Sequence, residues 1–333
     1  MTRRPAELLA AMALMAVTLM ACGESNGGNA AGGDGPADPA KVTLRVADQK
    51  FSAVRSLLAA AGQLEGVTYK ISWSQFTSGP PILEAINAGA TDFGVVGNTP
   101  PVFAAAAGSK ITVVGATDQS LDGQAIVVPR GSALRSAADL KGRKVAVAKG
   151  SNAHAHLLAV LAKNGLRFTD VRPQYLQPAD ALAALSAGKV DAWATWEPFT
   201  AQAETQAGAR ILVDGNGYLN GYNFQVTSPA ALEDEAKSAA LKDFLSRYRR
   251  AVLWSNGHQR QWAAVWSKDT GIAAPALEKA AARRITRIIK IDGTVTSAEQ
   301  RLADSFTEAG LVPGKVEIAD RFDPRFNETV PAA

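Results

Sequence analysis

Apolar and polar positions alternate along the first half of the chain in short blocks. Val42-Thr43-Leu44-Arg45-Val46 has the period-two pattern of a strand. Val67 to Trp73 reads as a second strand, Pro80 to Asn87 as a helix and Phe93 to Val96 as a third strand. Strand and helix go on alternating to about residue 215, the signature of parallel α/β sheets. From Leu232 onward the pattern turns helical, with Leu241, Phe244, Leu245, Tyr248 and Val252 at helical spacing. Further helices are expected near Pro275–Ile289 and Ser297–Ala309.

An internal duplication is superimposed on this alternation. Residues 66–97 align without a gap on 165–196, at a constant offset of 99. Gln75-Phe76 matches Gln174-Tyr175, Ile86-Asn87-Ala88-Gly89 matches Leu185-Ser186-Ala187-Gly188, and Asp92-Phe93 matches Asp191-Ala192. Each copy reads strand, helix, glycine stop, strand, with Gly89 and Gly188 suited to the left-handed position past a helix end. Two such copies imply two similar lobes. Ligands of open α/β sheets bind beyond the carboxyl ends of the strands, so facing lobes would form a cleft.

The amino terminus breaks the pattern. Arg3 and Arg4 precede an uncharged run from Leu8 to Met20, short for a bilayer span and suited to a secretory signal. Leu19-Met20-Ala21-Cys22 resembles a lipobox, which implies cleavage before Cys22 and a lipid on its sulfur. Gly23 to Ala40 holds six Gly and two Pro and reads as a tether with a span of about 23 Å. Cys22 is the only cysteine, which excludes a disulfide within the chain and thiol chemistry in the mature domain.

With 333 residues, 47 % apolar and 20 % charged, the chain can bury a sizeable core. A net charge of +4 without a dense basic cluster argues against nucleic acid and mildly favours an anionic ligand. His154 and His156 are two apart and share no helix face, and no metal-ligand spacing is present. No G-x-S-x-G or G-x-G-x-x-G occurs either.

The candidate chemistry lies at strand ends. Lys149-Gly150-Ser151-Asn152 follows the strand Val145–Ala148 and opens a helix that Gly165 closes, so free N–H groups there suit an anion. The alternative is an ordinary cap serving only its own helix. Gly97-Asn98-Thr99-Pro100-Pro101 and Thr195-Trp196-Glu197-Pro198 are the strand ends matched by the duplication. Asn98 and Thr99 offer neutral donors and Trp196 a flat wall, whereas Glu197 would repel a bare anion. Ser78 and Gly79 form another strand-to-helix turn, and Gln49 and Lys50 follow the first strand. Core, cap or solvated-turn roles are the competing explanation for each.

Taken in order, Gly79-Pro80 with Leu83-Glu84-Ala85, Asp92-Phe93-Gly94, Pro100-Pro101 with Phe103-Ala104, Ala125–Pro129, Ala138–Gly142, Lys149–Asn152, Pro178-Ala179-Asp180, Asp191-Ala192-Trp193 and Trp196–Phe199 resemble the aliphatic-sulfonate-binding proteins of ABC importers, within the taurine/nitrate/sulfonate-binding family. The resemblance covers roughly residues 42 to 260. It implies an α/β, periplasmic-binding-protein-like fold of type II: two hinged lobes with a ligand cleft between them. The implied organisation is a signal peptide over 1–21, lipidated cysteine and tether over 22–40, lobe 1 over 41–124 and lobe 2 over 125–224. Residues 225–333 then return to lobe 1 and supply the C-terminal helices. Carried over by motif, Gln49, Ser78, Gly79, Asn98, Thr99, Ser151, Asn152, Trp196 and Glu197 are expected to bind ligand. The implied partners are a small organosulfonate anion, an ABC permease with its ATPase, and the membrane through the Cys22 lipid. No catalytic residue, metal or cofactor is implied, and a monomer is expected. Two departures stand out: Phe51-Ser52 replaces a Gly-Gly pair, and Glu197 stands where many relatives carry Asp. Taurine, nitrate, bicarbonate or a sulfate ester are alternative ligands, with taurine requiring a carboxylate such as Glu197 for its ammonium. A thiamin-precursor-synthase-like enzyme shares the fold but uses a cysteine-rich motif that is missing here.

Overall fold

The computed structural model describes residues 41–331. The expected signal peptide, Cys22 and the whole of the tether lie outside them.

The chain builds two sheets. The larger is ordered β11-β4-β10-β3-β1-β2, from β1 (Thr43–Gln49), β2 (Lys70–Phe76), β3 (Phe93–Gly97), β4 (Thr112–Gln119), β10 (Tyr222–Thr227) and β11 (Thr286–Ile289). The smaller is ordered β7-β6-β8-β5-β9, from β5 (Ala125–Pro129), β6 (Lys144–Val147), β7 (Arg172–Tyr175), β8 (Ala192–Thr195) and β9 (Ala209–Asp214). Both follow one plan. A central strand lies parallel to two neighbours, and the next position is filled by an antiparallel strand: β10 in the larger sheet and β5 in the smaller. This is the two-lobed periplasmic-binding-protein architecture.

The lobes exchange strands through two crossings, 120–124 and 215–221. These run side by side, with Gln119 N–H donating to Gly221 O at 2.8 Å and Asn216 Nδ2 to Asp122 Oδ1 at 2.9 Å. A Cβ on Gly221 would lie 2.0 Å from Gln119 O, so glycine permits this approach. Strand β10 already belongs to the larger sheet at Tyr222, so the chain returns three residues earlier than the expected boundary at 225.

The duplication is visible in the backbone. Asp92 accepts from Arg45 N–H at 2.9 Å and donates its own N–H to Arg45 O at 2.7 Å. Asp191 makes the same exchange with Lys144, at 2.7 and 2.8 Å. Helices α2 (Gly79–Asn87) and α5 (Pro178–Ser186) occupy equivalent positions, and Gly89 and Gly188 follow them at φ 69° and 64°.

Alternation along the strands fills a core on each face of a sheet. In β5, Ile126 and Val128 face one cluster while Ala125 and Val127 face the other. The C-terminal region departs from expectation. Helix α10 (Ala274–Ala282) stops early, and Thr286–Ile289 form an edge strand antiparallel to β4 rather than the end of a helix. The β-branched residues Ile285, Thr286, Ile288 and Ile289 favour that outcome once an edge is available. Helix α11 (Gly293–Glu308) does not serve lobe 1 alone. Its Phe306 lies 5.1 Å from Phe103 of α3 (Thr99–Ala106) and 5.2 Å from His154 of α4 (Asn152–Lys163), a helix of lobe 2. Among the described residues no helix is long and apolar enough to cross a membrane.

Candidate ligand site between the lobes

The strand ends and helix starts of both lobes converge on one cavity of about 80 Å³, room for about three waters. Of the nine expected residues, Gln49, Gly79, Ser151, Asn152, Trp196 and Glu197 line it. Ser78, Asn98 and Thr99 do not: they are buried one step behind. The Ser78 hydroxyl has no partner among the described residues. Asn98 Nδ2 donates to Asn220 Oδ1 at 2.9 Å, and Asn98 Oδ1 accepts from Thr99 Oγ1 at 3.0 Å, which ties a first-lobe helix start to the second crossing. Lys50 is exposed and lies outside the cavity.

The helix starts face the cavity with donors unspent. No side-chain cap satisfies the first turn of α2, α3 or α4. Ser151 Oγ instead donates to Ala148 O at 2.7 Å, so the simple cap role does not hold for it. Pro80-Pro81 and Pro100-Pro101 remove N–H groups from α2 and α3, leaving Gly79 N–H as an orphan donor at the start of α2, while Thr99 N–H at the start of α3 goes to Asn152 Oδ1 at 3.5 Å. In α4, Asn152 and Ala153 keep theirs. The result is a small set of free N–H donors, one lobe supplying Gly79 at the start of α2 and the other Asn152 and Ala153 at the start of α4, an arrangement that favours an anion.

Asn152 reaches across the cleft. A Cβ on Gly97 would lie 1.7 Å from Asn152 Oδ1, and that oxygen is 3.5 Å from Thr99 N. Only glycine at 97 lets the second lobe approach this closely. Trp196 packs edge-on against Phe199 at 5.6 Å, and Phe199 meets Phe51 of the first lobe at 5.5 Å. Phe51 holds a left-handed backbone at φ 72°, a conformation that favours glycine, and its carbonyl is held by Trp266 Nε1 at 2.7 Å.

Glu197 lines the cavity but both its oxygens are committed. One accepts from Ala201 N–H at 3.1 Å and the other from Arg283 at 3.2 Å. Burial pushes its carboxyl up to about 7, against the pull of those donors. Arg283 also pairs with Glu204 of α6 (Phe199–Gln206) at 2.7 Å, and Lys279 pairs with Glu204 at 2.8 Å, so α10 of one lobe is latched to α6 of the other. Asp48 accepts from Val54 and Arg55 N–H at 3.0 and 3.3 Å, capping α1 (Val54–Ala60), and burial raises it to about 6.

Several lining residues carried no signal in the motifs. Gln119 ends β4, Ser120, Leu121 and Gln124 come from the first crossing, and Leu219, Asn220 and Gly221 from the second. Tyr248 comes from α8 (Glu235–Gly257) and Arg284 from the link before β11. Tyr248 had appeared only as part of a helix's apolar stripe, and Arg284 fell inside an expected helix. A larger groove of about 660 Å³ lies between α4 and α11, but its wall is mostly apolar and lacks the converging helix starts. The two histidines of α4 are core residues. Burial lowers both to about 4; His154 Nδ1 accepts from Gly150 N–H at 3.2 Å, and His156 Nε2 bonds Asp214 O at 2.8 Å.

Comparison with known proteins agrees with this geometry. The family model described as NMT1/THI5 like matches residues 75–261. A putative aliphatic sulfonates-binding protein of Escherichia coli (strain K12) is 38 % identical over 290 residues, covering 86 % of this chain and 90 % of the relative. The alkanesulfonate-binding protein SsuA from Xanthomonas axonopodis pv. citri, bound to MOPS, superposes with a TM-score of 0.79 at 34 % identity, covering 86 % of this chain and 99 % of that one. The periplasmic aliphatic sulphonate binding protein SsuA from Escherichia coli gives 0.75 at 38 % identity, covering 84 % and 96 %. With the fold, the cleft and these relatives in agreement, the chain belongs to the NMT1/THI5-like family, alongside these aliphatic sulfonate-binding proteins.

Proposed function

We propose that this chain is the extracytoplasmic solute-binding component of an ABC importer, and that it captures an alkyl or aryl sulfonate and delivers it to the permease. The observation that supports this best is the convergence of uncapped helix starts from both lobes on one cavity. A sulfonate carries a delocalised charge and three acceptor oxygens, which suits N–H donors without a salt bridge. Trp196 covers the carbon portion of the ligand. Similarity to sulfonate-binding relatives over most of the chain supports the ligand class and a binding rather than catalytic role. In this reading residues 41–124 and the chain from Tyr222 onward form the first lobe, and a lipid on Cys22 holds the protein at the membrane. It works as a monomer, and its remaining partners are the permease and its ATPase.

Taurine is the weaker version. Its ammonium requires a free carboxylate, and Glu197 has both oxygens committed to Ala201 and Arg283.

A thermal-shift screen of the purified chain against alkyl and aryl sulfonates, taurine, nitrate, bicarbonate and sulfate tests the reading. A ligand at 100 times its Kd should stabilise the fold by about 2.7 kcal/mol. A shift with sulfonates is the expected result. A shift with another anion and none with any sulfonate would keep the fold and replace the ligand.

A further inference from the structure

The ligand cavity has a second polar end, remote from the helix starts. Arg284 and Tyr248 line both the main cavity and a chamber of about 40 Å³ that continues from it. That chamber shares seven lining residues with the main cavity, polar Gln119, Asn223, Tyr248 and Arg284 among them, but none of Gly79, Gly97, Ser151, Asn152 or Trp196. Arg284 therefore marks the end of the cavity opposite the N–H donors.

Direct contacts there are few, although Asp48 and Glu197 lie close enough to act on the Arg284 charge. Arg284 Nε donates to the neutral Gln119 Oε1 at 3.1 Å, and the guanidinium lies 5.6 Å above the Trp266 ring. Among the described residues it makes no other hydrogen bond and no ion pair. The nearby carboxylates are spent elsewhere: Asp48 on the N–H groups of Val54 and Arg55, Glu197 on Ala201 and Arg283. Protein surrounds Arg284, yet the side chain keeps partial accessibility, which faces the cavity it lines. Tyr248 is only 5 % exposed and its hydroxyl has no hydrogen-bond partner among the described residues. Burial raises that hydroxyl to about 12, so it stays a donor at neutral pH. A guanidinium and a phenol at a cavity wall with so few protein acceptors suit a ligand that brings an acceptor of its own.

We infer that the cavity is built for sulfonates carrying a second acceptor at the far end of the carbon chain, a carboxylate above all, received by Arg284 and Tyr248. This rests on the sulfonate reading above, with the sulfonate at the helix starts. Arg284 offers two further N–H donors in the planar fork that matches a carboxylate, and Tyr248 adds a third donor. A plain alkanesulfonate would leave these donors without a partner, so the site discriminates by what the shorter ligand fails to satisfy.

Calorimetric titration of the purified chain would compare ω-carboxyalkanesulfonates of increasing length with unsubstituted alkanesulfonates of matched length. The wild-type protein should bind the best carboxylated ligand at least about tenfold more tightly. In Arg284→Gln that ratio should fall to about one. Should Arg284→Gln not fold, Arg284→Lys and Tyr248→Phe carry the same test, each lowering the ratio. A wild-type protein with no preference for the second acceptor overturns the inference, as does a preference that survives the substitutions. Equal loss of both ligands in Arg284→Gln overturns it too, since Arg284 would then hold the sulfonate itself. If neither ligand class binds the wild-type protein, the failure belongs to the sulfonate reading.

Discussion

Glu299 shows how one residue can oppose the element that carries it. On α11 the buried positions are Val295, Glu299, Ala303 and Phe306, a helical stripe with a carboxyl in the middle. Both carboxyl oxygens are buried without a partner among the described residues. Burial therefore raises the group well above the ordinary glutamate value of 4.5. Below pH 4.5 the carboxyl is protonated in folded and unfolded chains alike, and burial is tolerated. As pH rises above that value the unfolded chain ionises first, so stability falls until the folded-state value is reached. Glu299→Met keeps a similar shape and removes the titration. It should raise stability at pH 8 by about 2 kcal/mol and change it little at pH 4. Thermal melts at the two pH values check this, and an unchanged slope with pH in the variant would count against it. No periodicity argument finds this residue, because a glutamate in a helix reads as solvent-facing until the neighbouring helices are in place.

At the scale of elements, the duplicated strand-turn-helix-turn-strand unit was legible because its determinants are local. Glycine after a helix and aspartate before a strand act on the adjacent backbone. The structure gives Asp92 and Asp191 the same pair of main-chain bonds, but different surroundings. Asp92 also pairs with Arg45 at 2.6 Å and Lys237 at 3.1 Å and is almost fully buried. Burial alone would raise its carboxyl, but the bonds from Arg45 and Lys237 outweigh this and hold it below its ordinary value. Its contribution is therefore present at neutral pH and lost as pH falls below the ordinary aspartate range. Asp92→Ala should cost about 3 kcal/mol and Asp191→Ala about 1 kcal/mol, read by urea unfolding at pH 7. Equal costs would mean that the charges add nothing to the main-chain bonds. Strand β11 was misread for the complementary reason. Its β-branched residues favour a strand, but only the free edge of β4 gives them one to pair with.

Across the whole molecule, the decisive contacts are those between lobes. Arg283 of one lobe joins Glu197 and Glu204 of the other, and Asn152 reaches over Gly97. Contacts made only when the lobes meet are the ones through which closure and ligand affinity are coupled. Arg283→Met keeps the cavity wall distinct from the substitution and leaves the sheets intact. It should weaken binding of the sulfonate found in the screen about tenfold, near 1.4 kcal/mol, and lessen the loss of affinity in high salt. Titration at low and high salt, with small-angle scattering to follow closure, checks it. Unchanged affinity would show that the latch does not bias the lobes.

The sequence by itself determined the repeating α/β units, the two-lobed plan and six of the residues around the cavity, because strand period, helix starts and glycine positions act over a few residues. Gln49, Gly79, Ser151, Asn152, Trp196 and Glu197 all stand at strand ends where that local logic applies. Only the tertiary structure decided the rest. It withdrew Ser78, Asn98 and Thr99 behind the wall, committed Glu197 to Arg283 and Ala201, and brought Arg284 and Tyr248 to the far end of the cavity. These outcomes depend on residues distant in the chain meeting in space, as Asn98 and Asn220 do from 122 positions apart and Glu197 and Arg283 from 86. A charge acquires its partner, or is left without one, only when the chain has closed around it.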